Sequence, residues 1–202
     1  MKKNYVIDID NFLKDSPLWP THRHKPEFWE MLGRTIGSFG FLEEVLARAI
    51  YVISGAKAIP NKENIDEEFE AWVKYLVKAL SDPLAGLIDK YEESLKNNSS
   101  FSVRNLEELI KGLKELKVWR NILCHASWKQ PNLKGESVPF FVNRKGDAVS
   151  NPVDITVLEQ VMRNTTELTC LIINSVTSND VTPRLGPRQI IQSQFSSSLP
   201  HS

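Results

Sequence analysis

The sequence predicts an all-α fold, a bundle of four to five helices with a short β-hairpin before the last helix. Apolar residues recur at helical spacing over several long segments, and polar loops rich in Asn, Ser, Gly or Pro separate these segments. One stretch instead shows two short apolar runs around a turn. We expect an N-terminal arm at 1–26, a helical domain at 27–176 and a polar, flexible C-terminal tail at 177–202.

Length and composition restrict the class of protein. The 202 residues suffice for one hydrophobic core. The 25 basic residues balance the 25 acidic ones, which excludes a global positive field, so any polyanion site must be a local patch. No signal peptide and no uncharged apolar stretch of membrane-spanning length occurs, from which we expect a cytoplasmic protein without membrane contact. Cys124 and Cys170 lie among apolar residues and are interpreted as buried, unpaired thiols.

Two histidines lie in the proline-containing part of the arm. The stretch DSPLWPTHRHKP has three prolines, which argue against regular structure. No cysteine or acidic residue lies at metal-ligand spacing from His22 or His24. We therefore expect both histidines in a solvated loop.

A long amphipathic helix is predicted at 27–54. The apolar positions that recur at helical spacing are Phe39, Leu42, Leu46, Ala49 and Ile53. Gly33, Gly37 and Gly40 weaken an isolated helix but permit the close approach of another helix. Glu43 lies one step from the apolar stripe, which fits either a solvated flank or a half-buried polar residue in a site.

Three further helices are predicted between the first long helix and the hairpin. The segment near 66–81 should turn its apolar residues inward, namely Phe69, Trp72, Val73, Leu76 and Leu80. The next helix runs from Pro83, a good first-turn residue, to about Leu95, and Ser102 is the expected N-cap of the fourth.

The β-hairpin is predicted at about 137–149, SVPFFVNRKGDAV. Gly146 and Asp147 suit a tight turn between two apolar runs. Asp154 then begins the last helix, whose apolar positions are Val157, Leu158, Val161, Leu168, Leu171 and Ile172.

One residue of the fourth helix breaks its apolar pattern. When each residue advances by about 100°, one side of the helix collects Leu106, Leu109, Leu113, Leu116 and Leu123. Arg120 falls in the middle of that stripe, and such exceptions concentrate at functional sites or interfaces. The alternative is an arginine whose stem packs while its head reaches solvent or pairs with an acid such as Glu43. Periodicity alone leaves both interpretations open.

The polar side of the same helix collects Lys114, Lys117, Asn121 and His125 within roughly 80° of arc. Such charges are often only a solvated face. Here, however, an imidazole, an amide and two ammonium groups share one surface, which suits a phosphodiester of RNA. The two lysines are the predicted RNA contacts.

Each group of this stretch has a role in RNA cleavage. An imidazole titrates near neutral pH, so His125 can take a proton from a ribose 2′-hydroxyl. The guanidinium fork of Arg120 matches the oxygens of a phosphorane, and Asn121 can hold the imidazole or the phosphate. This chemistry requires no metal and no cofactor, and no carboxylate cluster typical of a magnesium nuclease is visible.

Helical geometry opposes a site made by one chain. Residues five apart point about 140° from each other in a straight helix. Arg120 and His125 therefore converge only if the helix breaks near 119–121, if the arginine wraps around it, or if a second subunit contributes.

The stretch RNILCH resembles the R-N-x-x-x-H motif of the HEPN superfamily, small helical proteins that include metal-independent ribonucleases. The resemblance covers roughly Phe28 to Val176 and includes a long first helix with an embedded acid, GSFGFLEEVLARAI. It implies that Arg120 and His125 are catalytic, with Asn121 supporting and Glu43 an accessory polar group.

The resemblance also implies partners. Family members usually form homodimers that bring two motifs into one cleft, and they occur as toxins of toxin–antitoxin pairs or in phage defence, so an antitoxin or defence-system partner is expected. In one toxin branch a tyrosine that the antitoxin modifies lies two residues after the histidine. Ser127 occupies that position here, and the β-hairpin is an addition to the minimal family core. The competing hypothesis is a catalytically silent HEPN-like module that binds RNA, a nucleotide or a protein.

Other chemistries lack sequence support. Motifs of P-loop, Rossmann, zincin and α/β-hydrolase proteins are absent. Cys124 and His125 are adjacent and diverge by about 100° on a helix, so we interpret the cysteine as a packing thiol rather than a nucleophile. Trp119 and Trp128 can stack on bases, although packing in a core or interface is the commoner use of tryptophan.

Overall fold

The computed structural model describes residues 7–55, 83–143 and 146–177, six residues between 67 and 77, and a strand at 195–196. Five helices have defined bounds within these residues: α1 (Ile9–Asp15), α2 (Pro26–Gly55), α3 (Leu84–Asn97), α4 (Leu106–His125) and α5 (Ile155–Thr177). The strands are β1 (Ser127–Trp128), β2 (Pro139–Phe140), β3 (Ala148–Val149) and β4 (Phe195–Ser196). The predicted all-α bundle with a hairpin before its last helix is confirmed.

Helix α2 lies at the centre of the bundle. Its apolar side packs against α5 along most of its length, and also against α3 and α4. The fully buried positions of α2 include Leu42, Leu46 and Ile53 of the predicted stripe, and also Ile50 beside it. None of the described helices combines the length and the apolar character that a membrane-spanning segment requires.

Buried hydrogen bonds join neighbouring elements at defined positions along the helices. The Tyr91 hydroxyl of α3 and the Ser175 hydroxyl of α5 are 2.8 Å apart, and burial raises the pKa of Tyr91 to about 12. Asn98 donates its side-chain amide to the carbonyl of Ile53 at 2.7 Å, which satisfies a C-terminal carbonyl of α2. The Thr35 hydroxyl of α2 donates to the carbonyl oxygen of Met31 at 2.8 Å and also lies 3.3 Å from the carbonyl oxygen of Leu158 in α5. Because the side chains of Tyr91 and Asn98 would otherwise bury a donor without an acceptor, their contacts fix how the helices align.

The predicted N-cap of the fourth helix is wrong. The N-cap of α4 is Asn105 rather than Ser102, because Phe101 and Val103 pack against the core before the helix begins. Asn105 has φ 60°, a left-handed conformation that asparagine tolerates better than most residues.

In the helix predicted near 66–81, the six described residues are helical and exposed. Val73 was expected to face inward but is 37% exposed. It shares a helix face with Glu70, Lys74 and Val77, and that face points to solvent. The other inward residues predicted there, Phe69, Trp72, Leu76 and Leu80, lie outside the described residues.

The hairpin forms as predicted, with additional pairing. Val142 and Ala148 pair across it, Gly146 has φ +89°, and the Asn143 amide donates to the carbonyl oxygen of Asp147 at 2.9 Å. The sequence did not predict that β2 also pairs with β1, antiparallel and directly after α4. Likewise β3 pairs with β4, from the segment predicted as a tail. The remainder of 178–202 lies outside the described residues.

The arm contains α1, which was not predicted, and it contacts the bundle through His24. His22 is exposed as expected, but His24 is only 9% exposed. Its ring stacks on Phe28 with centroids 4.5 Å apart and meets Trp29 edge-on at 5.2 Å. The solvated-loop interpretation of His24 is therefore wrong, because aromatic residues of the first turn of α2 cover its ring.

Both cysteines are exposed, which corrects the prediction of buried thiols. Neighbours along a helix point in different directions, so apolar neighbours in sequence do not imply burial. Leu123 is buried while the next residue, Cys124, faces solvent, and Cys170 follows the buried Thr169 in the same way.

The buried His24 predicts a pH-dependent stability. Desolvation lowers its pKa below the value of 6.5 expected in the unfolded chain. The unfolded state therefore binds a proton more readily, and this contribution to the free energy of unfolding is lost as pH falls below about 6.5. We expect His24→Leu to reduce the drop in Tm between pH 8 and pH 5.5.

His22→Gln is the matched control, since His22 is exposed, and it should keep the wild-type profile. Thermal unfolding of the three proteins at both pH values measures the effect. An equal drop in Tm in wild type and His24→Leu would contradict this role of His24.

Candidate functional site

Helix α4 carries the R-N-x-x-x-H stretch at its C-terminal end. The helix is uninterrupted from Leu106 to His125, and the amide of Ala126 still donates to the carbonyl oxygen of Ile122 at 2.9 Å. No break occurs near 119–121, which removes the first way of bringing Arg120 and His125 together. The chain turns directly into β1 after His125, so the imidazole lies at a helix end.

Arg120 pairs with Glu43 across two helices. The arginine Nε lies 3.6 Å from the glutamate Oε1, and the two side chains are 29% and 30% exposed. Both residues lie at the junction of α2 and α4, because Arg120 occupies the leucine side of α4. Glu43 is half-buried rather than a solvated flank, and its contact with Arg120 is the pairing with an acid that the alternative interpretation of the arginine predicted.

The Arg120–Glu43 pair leaves one buried carboxylate oxygen without a hydrogen bond. The Oε1 atom of Glu43 is buried and has no hydrogen-bond partner among the described residues, since 3.6 Å exceeds hydrogen-bond distance. A carboxylate oxygen in this state costs free energy. The guanidinium approaches the carboxylate through Nε, and part of the arginine side chain remains solvent-accessible.

Asn121 and His125 share one face of α4, one turn apart. Asn121 is half-buried and His125 is exposed. Neither side chain makes a hydrogen bond to another described residue, so both can bind a ligand without first breaking an internal contact. Lys117, half-buried, lies one turn earlier on the same face.

Lys114 is less available for binding RNA than its position on the polar side of α4 suggests. Its Nζ lies 3.4 Å from the Glu92 carboxylate of α3, which also binds Lys96. The two lysines hold the pKa of Glu92 below its ordinary value, chiefly through the hydrogen bond from Lys96. The sequence did not indicate Glu92 as the partner of Lys114, because nothing in the spacing places these two helices side by side.

A shallow groove of about 460 Å³ runs between α3 and α4 next to this ion pair. Its lining includes Glu92, Lys111, Lys114 and Glu115, so acids and bases alternate along it. Lys114 therefore belongs to a mixed-charge surface, whereas Lys117, Asn121 and His125 form the side of α4 nearer its end. Among the described residues no three His, Cys, Asp or Glu side chains are grouped closely enough to hold a metal ion.

Arg120 and His125 remain apart within one chain. On the uninterrupted helix they are separated by about 140° and about 7.5 Å of rise. The contact with Glu43 also directs the arginine towards α2 rather than around α4. Of the three ways of bringing the two residues together, the helix break is therefore absent and the arginine does not wrap around α4.

The neighbouring tryptophans and cysteine have structural positions. Trp119 is 6% exposed and belongs to the core. Trp128 is half-buried and packs edge-on against Phe28 with centroids 4.9 Å apart. Trp119 therefore cannot stack on a base, while Cys124 is exposed beside His125 rather than packed as predicted.

Comparisons of the chain with protein-family models, with curated proteins and with solved structures gave no match.

The Arg120–Glu43 pair predicts an unusual effect on stability. Replacing both residues of a partly buried ion pair by apolar residues is often neutral or stabilising. Removing only one residue is destabilising, because it leaves the other as an unpaired charge. We expect Arg120→Leu alone to lower the free energy of unfolding by about 1 kcal/mol, because it leaves the Glu43 carboxylate without its cation.

The double variant Glu43→Leu/Arg120→Leu should be at least as stable as wild type. Urea unfolding of wild type, both single variants and the double variant measures the coupling between the residues. A double variant less stable than Arg120→Leu alone would contradict this account of the pair.

Proposed function

We propose that this protein is a metal-independent endoribonuclease of the HEPN type, acting as a toxin or in phage defence. The observation that supports the proposal best is the C-terminal end of α4, where Asn121 and His125 lie one turn apart on one face and make no hydrogen bond to another described residue. Arg120 belongs to the same R-N-x-x-x-H stretch, and its side chain is 29% exposed. Its contact with Glu43 is also what a structural ion pair would give, so the proposal rests on the motif and on the accessible His125 rather than on this contact.

The residues divide the chemistry between them. His125, exposed and without an internal partner, takes the proton from a ribose 2′-hydroxyl, whose oxygen attacks the adjacent phosphorus. Arg120 stabilises the charge that develops on the phosphorane oxygens. The bond to the 5′-oxygen then breaks, and that oxygen takes a proton from an imidazolium. Asn121, one turn from His125, orients the phosphate or the imidazole by hydrogen bonds.

Because Arg120 and His125 are separated on α4, the proposed function needs a composite site, one that takes Arg120 from one copy and His125 from another. A two-fold dimer is self-complementary, so an arrangement that forms one such site also forms a second, equivalent one. Lys117 lies on the same face as His125 and is the lysine best placed to contact RNA, because Lys114 is bound to Glu92.

The reaction predicts a defined set of products. Purified protein with a mixed RNA pool and EDTA should give 2′,3′-cyclic phosphate and 5′-hydroxyl ends, and DNA should remain intact because it lacks the attacking hydroxyl. His125→Ala should reduce the rate by about 10² to 10⁴, the usual value of positioned proton transfer. Arg120→Lys should also lose activity, since an ammonium cannot replace the planar fork.

His22→Ala is the control, because it removes an exposed histidine from the arm. Lys114→Ala should change cleavage less than Lys117→Ala does. Cleavage that continues unchanged in His125→Ala, or that requires a metal, would exclude this mechanism.

The composite site predicts complementation between inactive chains. Arg120→Ala and His125→Ala are each expected to be inactive, but a mixture forms heterodimers in which one of two sites keeps both residues. With random pairing about half of the dimers are mixed, so about a quarter of the wild-type activity should return. Activity of the refolded mixture no higher than that of either variant would contradict a shared site.

A second candidate function, a catalytically silent HEPN-like module, is supported by the charges around the motif. Glu43 offsets Arg120 and Glu92 offsets Lys114, so two of the predicted phosphate contacts are already paired. Such a module would bind RNA, a nucleotide or a protein without cleaving RNA. Overexpression separates the two functions, because a nuclease should slow growth and His125→Ala should relieve this effect, whereas a silent module should give the same growth in both cases.

A further inference from the structure

Strands β1 and β2 form a two-stranded ribbon whose outer face carries an exposed aromatic ring. Ser127 pairs with Phe140 across the strands, so their side chains share one face, and Trp128 and Pro139 share the other. Pro139 is buried and Trp128 is half-buried, whereas Ser127 and Phe140 are exposed. Phe140 is 61% exposed, more than any other phenylalanine whose burial the structure describes. Its ring therefore contributes little to the core and is free to contact a ligand.

A lysine lies beside this ring. The Lys129 Nζ is 6.0 Å from the centroid of the Phe140 ring, at the outer limit of a cation–π contact. Side chains alternate along a strand, so Lys129, two residues after Ser127, belongs to the same outer face. Proteins hold single-stranded nucleic acids with these two kinds of group, an aromatic ring for a base and a cation for a phosphate.

The chain around the ribbon is basic, although the whole chain is neutral. Residues 117–143 contain a single acid, Glu136, and four basic residues, namely Lys117, Arg120, Lys129 and Lys134. Glu43 offsets Arg120, and the lysines still outnumber the acid. A chain with 25 basic and 25 acidic residues has no global positive field, so this segment is the local patch that a polyanion requires.

The ribbon begins directly after the motif. Ala126 is extended and joins His125 to Ser127, the residue that pairs with Phe140. Two extended residues span about 7 Å, and paired Cα atoms of antiparallel strands lie about 5 Å apart. The Cα atoms of His125 and Phe140 are therefore at most about 12 Å apart. A single strand with a phosphate at His125 can thus bring the base of a nearby nucleotide to the Phe140 ring.

We propose that Phe140 and Lys129 form a binding site for single-stranded RNA beside His125, with one base stacked on the ring and a phosphate on the ammonium. The inference rests on the proposed function for the nature of the ligand and adds the residues that hold the strand. Stacking needs an unpaired base, so the site selects single strands over duplexes and accepts any base. Trp119 and Trp128 were the expected stacking residues, but packing uses both of them and leaves Phe140 exposed.

Two substitutions of Phe140 test the stacking. Binding is measured in the His125→Ala background, which keeps the RNA intact, by the fluorescence anisotropy of a labelled single-stranded RNA of about 12 nucleotides. Phe140→Leu keeps an apolar side chain without a π face and should weaken binding at least about fivefold. Phe140→Trp keeps a π face and should bind within about twofold of the parent protein. Binding of the corresponding duplex should not respond to Phe140→Leu, because its bases are already stacked on each other.

The salt dependence of Kd tests the phosphate contact. Lys129→Gln should weaken binding and reduce the slope of log Kd against log salt concentration by about 0.7, the value for one contact to a single strand. Phe140→Leu removes no charge and should leave that slope unchanged. The matched controls are Lys111→Gln near the start of α4 and Phe41→Leu on the exposed side of α2, both of which should bind as the parent does. Circular dichroism checks that every variant is folded.

Three results would overturn the inference. One is equal affinity of Phe140→Leu and the parent for the single strand, and another is an equal loss of affinity for single strand and duplex. The third is no binding by the parent at up to about 100 µM, a concentration at which even non-specific contacts with phosphates are detected. The exposed ring would then be the anchor of a protein partner. An unchanged salt slope in Lys129→Gln would exclude the phosphate contact.

Cleavage by the chain with its native His125 separates this inference from the proposed function. There Phe140→Leu should raise KM and leave kcat unchanged, because stacking holds substrate and transition state equally. RNA that binds through Phe140 but is never cleaved supports the site and removes the nuclease. RNA cleavage with the same KM in wild type and Phe140→Leu removes the site and keeps the nuclease.

Discussion

The packing of α2 against three other helices is the contact on which the remaining structure depends. One side of this helix is buried along most of its 30 residues, and α3, α4 and α5 all lie against it. The buried hydrogen bond from Asn98 to the carbonyl of Ile53 then fixes where the end of α3 lies along α2. Since α4 is held against α2, Arg120 meets Glu43, and the opposite side of α2 is left exposed as a separate surface.

A charged pair at a helix junction has a physical cost that packing does not explain. Arg120 stands where a leucine would bury apolar area, and a Glu43 oxygen is buried without a hydrogen bond. Such a pair contributes little to stability when it is partly solvated, because desolvation offsets most of the attraction. In the proposed function, this pair holds the guanidinium in a fixed direction while part of the side chain remains accessible.

The two sides of α2 differ in their contacts. Its junction with α4 holds the arginine of the motif, while its exposed side carries Phe41 and the ion pairs Glu30–Arg34 and Glu44–Arg48. Within one chain Arg120 and His125 point in different directions, because α4 is uninterrupted through the motif. In the proposed function, catalysis therefore depends on association of two copies.

The sequence by itself determined the helices of the bundle, α2 to α5, the hairpin and the residues of the motif, but not α1 of the arm. Apolar periodicity and turn signals are local properties, so α2, α3 and α5 could be predicted closely, and Arg120 could be identified as an exception to its own stripe. Tertiary structure alone decided the environments of individual side chains. These environments depend on which elements become neighbours. Examples are the packing of His24 against Phe28, the exposure of Cys124 and the ion pair between Lys114 and Glu92. That choice follows from packing between residues distant in the chain, which no local pattern encodes.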